Sequence, residues 1–187
     1  MDLVLLSKIL YFASIGLWLI PPIRQFKGKY FYFFLILALT DPISLCFRLL
    51  FKQQLPLGVY SYSTYLLLIS LFSTETYKKH LMLLISISVL TFLLIFFGFN
   101  HSQNLLVIVI LHFGIFFIIL KKFIATYTLH GRIKVFYLFF IFYELTLIIK
   151  FFNVLFGFAD ATAFFIITGI AQIIFGLFFS IVRESWH

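Results

Sequence analysis

Seven long apolar segments, separated by short polar breaks, make up almost all of this 187-residue chain. A helix needs about 20 mostly apolar residues to cross a membrane, and each segment is close to that length. Long apolar runs without alternation are typical of membrane helices and not of barrel strands. The sequence therefore predicts an all-α polytopic membrane protein, with residues 1–187 forming a single transmembrane domain. The predicted spans are 3–22, 30–52, 59–77, 80–99, 104–122, 133–156 and 161–182.

Composition gives the same prediction. The chain is 64% hydrophobic and 11% charged, whereas a soluble domain is about 45–50% apolar and about 25% charged. A water-soluble fold of this size could not hide so much apolar surface, so the lipid bilayer is the expected solvent. The single cysteine, Cys46, excludes an internal disulfide, and no spaced His, Asp or Glu cluster predicts a metal site or a cofactor.

The basic residues predict the orientation. Ten of the 14 Lys and Arg residues fall in or beside breaks that lie on one side of the predicted membrane. They are Arg24, Lys27, Lys29, Lys78, Lys79, Lys121, Lys122, Arg132, Lys134 and Arg183. Because cytoplasmic loops carry the excess of positive charge, the N-terminus is predicted outside and the C-terminus in the cytoplasm. The same bias explains the net charge of +8 without nucleic acid as a partner.

Two of the breaks have a specific interpretation. Glu75, Lys78 and Lys79 are taken to close the third span, which would make the third and fourth spans a tight helical hairpin. Segment 123–130 is expected to leave the membrane as an interfacial turn before the sixth span.

Four spans carry a polar residue near their middle. An ionisable group at that depth costs about 2.5–3.5 kcal/mol on insertion scales and is a functional candidate by default. These residues are Asp41, His112, Glu144 and Gln172. Their similar depth predicts a polar layer or a small hydrated cavity at the centre of the bundle.

Three spans extend this layer with stripes of polar or small residues at helical spacing. In the second span the stripe contains Asp41, Ser44, Arg48 and Lys52. In the sixth it contains Tyr143, Thr146, Lys150 and Asn153, and in the seventh it contains Thr162, Gly169, Gln172, Gly176 and Ser180. The glycines would let another helix approach closely. We expect these three spans to face one another.

Asp41 is expected within hydrogen-bonding reach of another span or of water, with Glu144, Gln172, Lys150 and Asn153 as candidate partners. Pro42 beside it removes the helical donor of the Ala38 carbonyl. For Asp41 and Glu144, a structural role as polar contacts that hold two helices together has the same weight as a functional role. His112 is interpreted as a hydrogen-bonded core residue in preference to a proton carrier.

Known catalytic motifs are missing from the sequence. It contains no G-x-S-x-G, no H-E-x-x-H and no glycine-rich phosphate loop, so no catalytic residue is predicted. The seventh span has no lysine that could bind retinal.

The run GLWLIPPIRQFKGKYFYFFLILALTDPISLCFRLLF, followed by YLLLISLFSTETYKKH, resembles the seven-helix membrane domains of Bacteroidota histidine kinases and their free-standing relatives. The shared features are a first helix ending in Pro, a short basic loop, an acidic or hydroxyl residue inside the second helix and a third helix ending in Tyr-Lys. The resemblance covers about the first 80 residues and implies sensing. The sequence ends at Trp186 and His187 with no kinase, so we expect any signal to pass to a separate partner.

Three functional hypotheses follow. The first is a sensor-like or accessory subunit of the bacterial inner membrane, acting through a membrane-protein partner or as a homo-oligomer. The second is a transporter or channel for protons or a small solute, with Asp41, Glu144 and His112 as the relay. The third is a membrane-embedded enzyme acting on lipid, with Asp41 and Glu144 as acid and base.

Overall fold

A computed structural model describes residues 3–184 of the chain, so the ends of the chain, including Trp186 and His187, lie outside the described residues. The regular secondary structure of the described part consists of helices, without strands, which confirms the all-α prediction. The helices are α1 (Leu3–Trp18), α2 (Ile20–Arg24), α3 (Phe31–Phe51), α4 (Leu57–Ser70), α5 (Thr74–Leu93), α6 (His101–His130), α7 (Val135–Phe156) and α8 (Ala161–Ile181). A π-helical turn, Leu94–Gly98, continues α5. Six helical segments are long and apolar enough to cross a membrane.

The exception is α4, where the prediction of a full span over 59–77 was wrong. This helix has 14 residues, about 21 Å at 1.5 Å per residue, whereas the hydrocarbon core is about 30 Å thick. The chain turns at 71–73, and Ser73 caps α5 by accepting a hydrogen bond from the Thr76 amide at 3.2 Å. Glu75, Lys78 and Lys79 therefore belong to the first turns of α5 and do not close the preceding helix.

The predicted interfacial turn at 123–130 was also wrong, because α6 continues without a break to His130. Gly131 then ends the helix in the left-handed conformation at φ 62°, which glycine adopts without a steric penalty. Lys121 and Lys122 consequently lie inside a 30-residue helix.

Contacts between helices define the two ends of the bundle. At one end Arg24 Nε donates to the Ile181 carbonyl at 3.1 Å, and Arg183 donates to the Phe26 carbonyl at 2.9 Å. Lys122 Nζ donates to the Leu71 carbonyl at 3.1 Å. The breaks 25–30, 71–73, 131–134 and 182–184 form this end, which we call the basic end. At the opposite end Ser61 on α4 donates to the Asn104 carbonyl on α6 at 3.2 Å.

Aromatic side chains fill the half of the bundle toward the basic end. Phe34 on α3 and Phe179 on α8 have ring centroids 4.9 Å apart, and both are fully buried. Phe140 on α7 stacks on Phe34 at 5.9 Å, and Trp18 on α1 lies 5.0 Å from Tyr143. We call Trp18, Phe34, Phe140, Tyr143 and Phe179 the aromatic cluster. Aromatic pairs at these separations add to the stability of a packed core.

The glycine stripe of α8 packs against α1 instead of the helices predicted to face it. A Cβ on Gly176 would lie 3.0 Å from Leu17 and 3.3 Å from Trp18 Nε1, and Gly169 faces Leu10. Trp18 Nε1 also donates to the Gln172 carbonyl at 3.1 Å. The prediction that the second, sixth and seventh spans face one another therefore omitted a helix. The polar and glycine stripe of α8 lies against α1, which also contributes to the interior that α3, α7 and α8 share.

Candidate functional site

A cavity of about 110 Å³ lies at the centre of the bundle. Three of the four residues of the predicted polar layer, Asp41, His112 and Gln172, line it. Lys150 and Tyr143, from the predicted stripe of α7, line it as well. We call this space the inner cavity. It joins polar groups from helices that are far apart in sequence.

A smaller space of about 50 Å³, the side cavity, adjoins the inner cavity. The two share Asp41, Lys150 and Gln172 as walls. Ser14 on α1 and Thr168 on α8 also line the side cavity. The Ser14 hydroxyl oxygen is buried and makes no hydrogen bond to the described residues, although buried hydroxyls normally have a partner.

A third space of about 940 Å³, the outer cavity, lies toward the end opposite the basic end. Its polar walls include Lys8, Arg48 and His101. Tyr60 is shared with the inner cavity, and Tyr11 and Phe165 are shared with the side cavity. The three spaces therefore share walls, and their volumes decrease from the outer cavity, whose rim carries Lys8 and Arg48, to the two cavities beside Asp41 and Lys150.

Asp41 and Lys150 face each other across the two smaller cavities. Asp41 comes from α3 and Lys150 from α7, and both side chains line both cavities. Among the described residues neither makes a direct ion pair or hydrogen bond with the other. Asp41 therefore makes no direct contact of this kind with Lys150, and the alternative expectation, a water between the helices, stays a prediction.

Glu144 pairs with His112 and not with Asp41. The His112 Nδ1 atom lies 2.8 Å from Glu144 Oε2, with side-chain exposures of 3% and 0%. The His112 ring also stacks on Phe151 with centroids 5.5 Å apart. This arrangement ties α6 to α7 and makes His112 a hydrogen-bonded core residue that also forms part of the cavity wall. Glu144 Oε1 has no hydrogen-bond partner among the described residues.

Other predicted site residues lie outside the two smaller cavities. Ser44 hydrogen-bonds to the Tyr60 hydroxyl, and the Arg48 guanidinium lies over the Tyr11 ring at 5.8 Å. Both lie on the outer cavity. Thr146 donates to the Phe142 carbonyl of its own helix at 2.9 Å, a local bond that connects no two helices.

Asn153 has a capping role at the C-terminal end of α7. Its side-chain oxygen accepts a hydrogen bond from the Ala159 amide at 2.8 Å. Gly157, in the left-handed conformation at φ 64°, ends the same helix. Asn153 therefore stabilises the connection between α7 and α8 and does not belong to the polar centre.

Sequence reasoning overlooked the contribution of α1. Ser7, Tyr11 and Ser14 recur at i, i+4 and i+7, and each lines one of the cavities. This spacing is the signal that places residues on one helix face, so the stripe could have been found. Tyr60 carried no comparable signal, because it lies in a tyrosine-rich stretch typical of a membrane interface.

No group of three or more His, Cys, Asp or Glu side chains suited to a metal ion occurs within residues 3–184. No protein-family model, curated protein or solved structure matches the chain. The apolar composition and six membrane-length helices define it as an integral membrane protein of the helical class.

Proposed function

We propose that this chain is a sensor-like protein of the bacterial inner membrane that binds a small ligand from outside. It passes the resulting change to a membrane partner. The observation that carries the proposal is the series of three cavities, which narrows from a wide rim to the charged pair Asp41 and Lys150. Ligand sites with a few convergent polar groups in an apolar cleft commonly have this form.

The distribution of positive charge supports the direction of access. The basic end carries most of the Lys and Arg residues, and such ends lie in the cytoplasm. In this orientation the outer cavity opens on the outside, and the N-terminus of the chain lies on that side.

The aromatic cluster supports binding in preference to passage. Trp18 and Tyr143 line the inner cavity and also pack into the cluster that fills the half toward the basic end. A solute that reached Asp41 would meet fully buried Phe34, Phe140 and Phe179 beyond it. A ligand that enters from outside would therefore leave by the same route, as it does in a receptor.

A partner has a suitable surface on α5. Only 6% of the span formed by α5 and its π-helical turn is buried within the chain. This helix touches α4 mainly through contacts such as Tyr65 with Ser88 and Tyr62 with Phe92. A membrane-protein partner, or a second copy of the chain, would cover the remaining apolar face of α5. Purification in mild detergent with identification of bound proteins by mass spectrometry tests this part.

Labelling of a cysteine in the inner cavity tests ligand access. Ser63 lines that cavity, so Ser63→Cys is made in a Cys46→Ser background and treated with a small, membrane-impermeant zwitterionic thiol reagent, whose net charge is zero. We expect labelling of intact spheroplasts and none of inverted vesicles. Labelling of inverted vesicles alone would contradict the orientation. Labelling from both sides would reveal a continuous path and contradict the receptor.

Proton transport is the second candidate, and the buried pair His112 and Glu144 beside the inner cavity favours it. Such a pair can exchange a proton with water in an adjoining cavity. Purified protein in liposomes with an internal pH-sensitive dye tests this candidate. Proton uptake that is lost in Glu144→Gln, while the variant stays folded, would favour transport over sensing.

A further inference from the structure

We propose that the ligand of the inner and side cavities is a small zwitterion, with its cationic group at Asp41 and its anionic group at Lys150. This inference rests on the proposed function, since it names the ligand class of the same site. The observation behind it is that one acid and one base, from α3 and α7, face the same two cavities without forming a direct ion pair among the described residues.

The separated charges determine which ligands can be held well. Burying a charge without a partner is costly, and a pair in direct contact offsets part of that cost. A simple carboxylate would satisfy Lys150 and leave Asp41 facing like charge, and a simple amine would do the reverse. A molecule with one group of each sign, set some distance apart, satisfies both residues at once.

The size of the two cavities limits the ligand. Their volumes are about 110 Å³ and about 50 Å³. A single water needs about 10–15 Å³ by this measure, and an engineered cavity of about 150 Å³ is known to hold benzene. The ligand therefore has on the order of six to ten non-hydrogen atoms, which matches a short amino acid and excludes a lipid or a peptide longer than the smallest dipeptides.

Neutral polar groups complete the site. The Ser14 hydroxyl, which is buried without a hydrogen-bond partner among the described residues, and Thr168 line the side cavity, and Gln172 lines both cavities. They offer donors and acceptors to the ends of a zwitterion. Trp18 and Tyr143 provide aromatic walls, and a ligand ammonium is stabilised near the face of such rings.

The outer cavity adds selectivity against simple cations. Lys8, Arg48 and His101 line its walls, and Asp and Glu are absent from its lining among the described residues. A positive rim lowers the local concentration of a plain amine, whereas a neutral zwitterion is not repelled. The rim would attract plain carboxylates, but these would then meet Asp41 inside. Rejection of both single-charge classes is a form of specificity built from repulsion.

The test measures binding of named probes to purified protein in nanodiscs, by isothermal titration and by thermal unfolding. The zwitterions are glycine, β-alanine, 4-aminobutanoate and 5-aminopentanoate, which separate the two charges by increasing distances. Pentanoate and pentylamine are the single-charge controls for the longest probe. We expect at least one zwitterion to bind and to raise the melting temperature. We expect single-charge probes of matched length to bind at least tenfold more weakly.

Two variants test the assigned roles. Asp41→Asn and Lys150→Met should each weaken binding of the best zwitterion at least tenfold. The Asp41→Asn variant should bind pentanoate with the same affinity as the zwitterion. Asp160→Asn is the matched control, because Asp160 is exposed, lies away from the cavities and keeps a capping residue as Asn. It should bind like the unmodified protein.

The outcomes separate this inference from the proposed function. Equal binding of pentanoate and the zwitterions, or unchanged zwitterion binding in Asp41→Asn, would overturn the zwitterion and leave a receptor for another class. If none of the four zwitterions binds, the zwitterion proposal is overturned as well. Failure of Ser63→Cys labelling from outside would instead contradict the receptor itself. If both charge variants fail to fold, the comparison of probes on the unmodified protein still decides.

Discussion

The imidazole of His112 and the carboxylate of Glu144 meet 2.8 Å apart in the centre of the bundle, where both side chains are closed off from the surface. They join α6 to α7 directly beside the inner cavity. Removing one partner of such a buried pair strongly lowers the free energy of unfolding, because the remaining polar group is left buried without its partner.

Removal of both partners should therefore destabilise the protein less than the sum of the two single removals. We expect His112→Phe or Glu144→Leu alone to lower the free energy of unfolding by about 3–5 kcal/mol, and the double variant to lose less than the sum of the two. Thermal or denaturant unfolding in detergent measures the double-mutant cycle. Strictly additive losses would mean that the two side chains do not interact.

Gly176 tests the contact between α1 and α8. A side chain at this position would meet Leu17 at 3.0 Å and Trp18 at 3.3 Å, so Gly176→Leu should cost about 1–3 kcal/mol through overpacking. Ile174→Leu on the same helix is the control, because Ile174 is 53% exposed. The melting temperature in detergent should fall only for the first variant. Equal effects would show that the glycine stripe is not an interface.

Lys122 and Lys121 form a matched pair at the basic end. Lys122 Nζ donates to the Leu71 carbonyl at 3.1 Å, just after the end of α4, and lies 5.1 Å from the Tyr30 ring. Lys122→Met should lower the free energy of unfolding by about 1–3 kcal/mol. Lys121 is exposed, so Lys121→Met should change it by less than about 0.5 kcal/mol. A larger loss in Lys121→Met would contradict this role of Lys122.

Membrane orientation can be tested at two exposed positions. In a Cys46→Ser background, Ser102→Cys should react with an impermeant thiol reagent added to intact cells. Ile133→Cys should react only in inverted vesicles. Ile133 is 58% exposed in the break after α6, and replacing it leaves every basic residue in place. The reverse pattern would place the basic end outside, against the positive-inside bias.

Sequence alone predicted the helical class, the membrane setting and most of the polar residues that line the inner cavity. Apolar run length and composition carry that information, because a bilayer accepts only backbones whose hydrogen bonds are satisfied internally. Polar residues inside such runs are rare enough to be recognised one by one. For this reason Asp41, His112, Glu144 and Gln172 could be selected as a polar layer before the structure was known, and all of them except Glu144 line one cavity.

Helix ends were less predictable. The turn at 71–73 is marked by the capping hydroxyl of Ser73, a local signal that was missed because Glu75, Lys78 and Lys79 were taken as the end of the preceding span. Segment 123–130 lies beyond the length that a membrane span needs, yet it continues α6, because the first residue that ends the helix is Gly131.

Only the tertiary structure decided the partners. Periodicity places a residue on a helix face but does not say which helix that face meets, since apolar faces toward lipid and toward protein look alike in sequence. Hence the glycines of α8 met α1, Glu144 met His112, and Asp41 and Lys150 were set apart across a cavity. The spacing between those two opposite charges follows from how α3 and α7 pack within the bundle. The ligand class proposed for the site depends on this spacing.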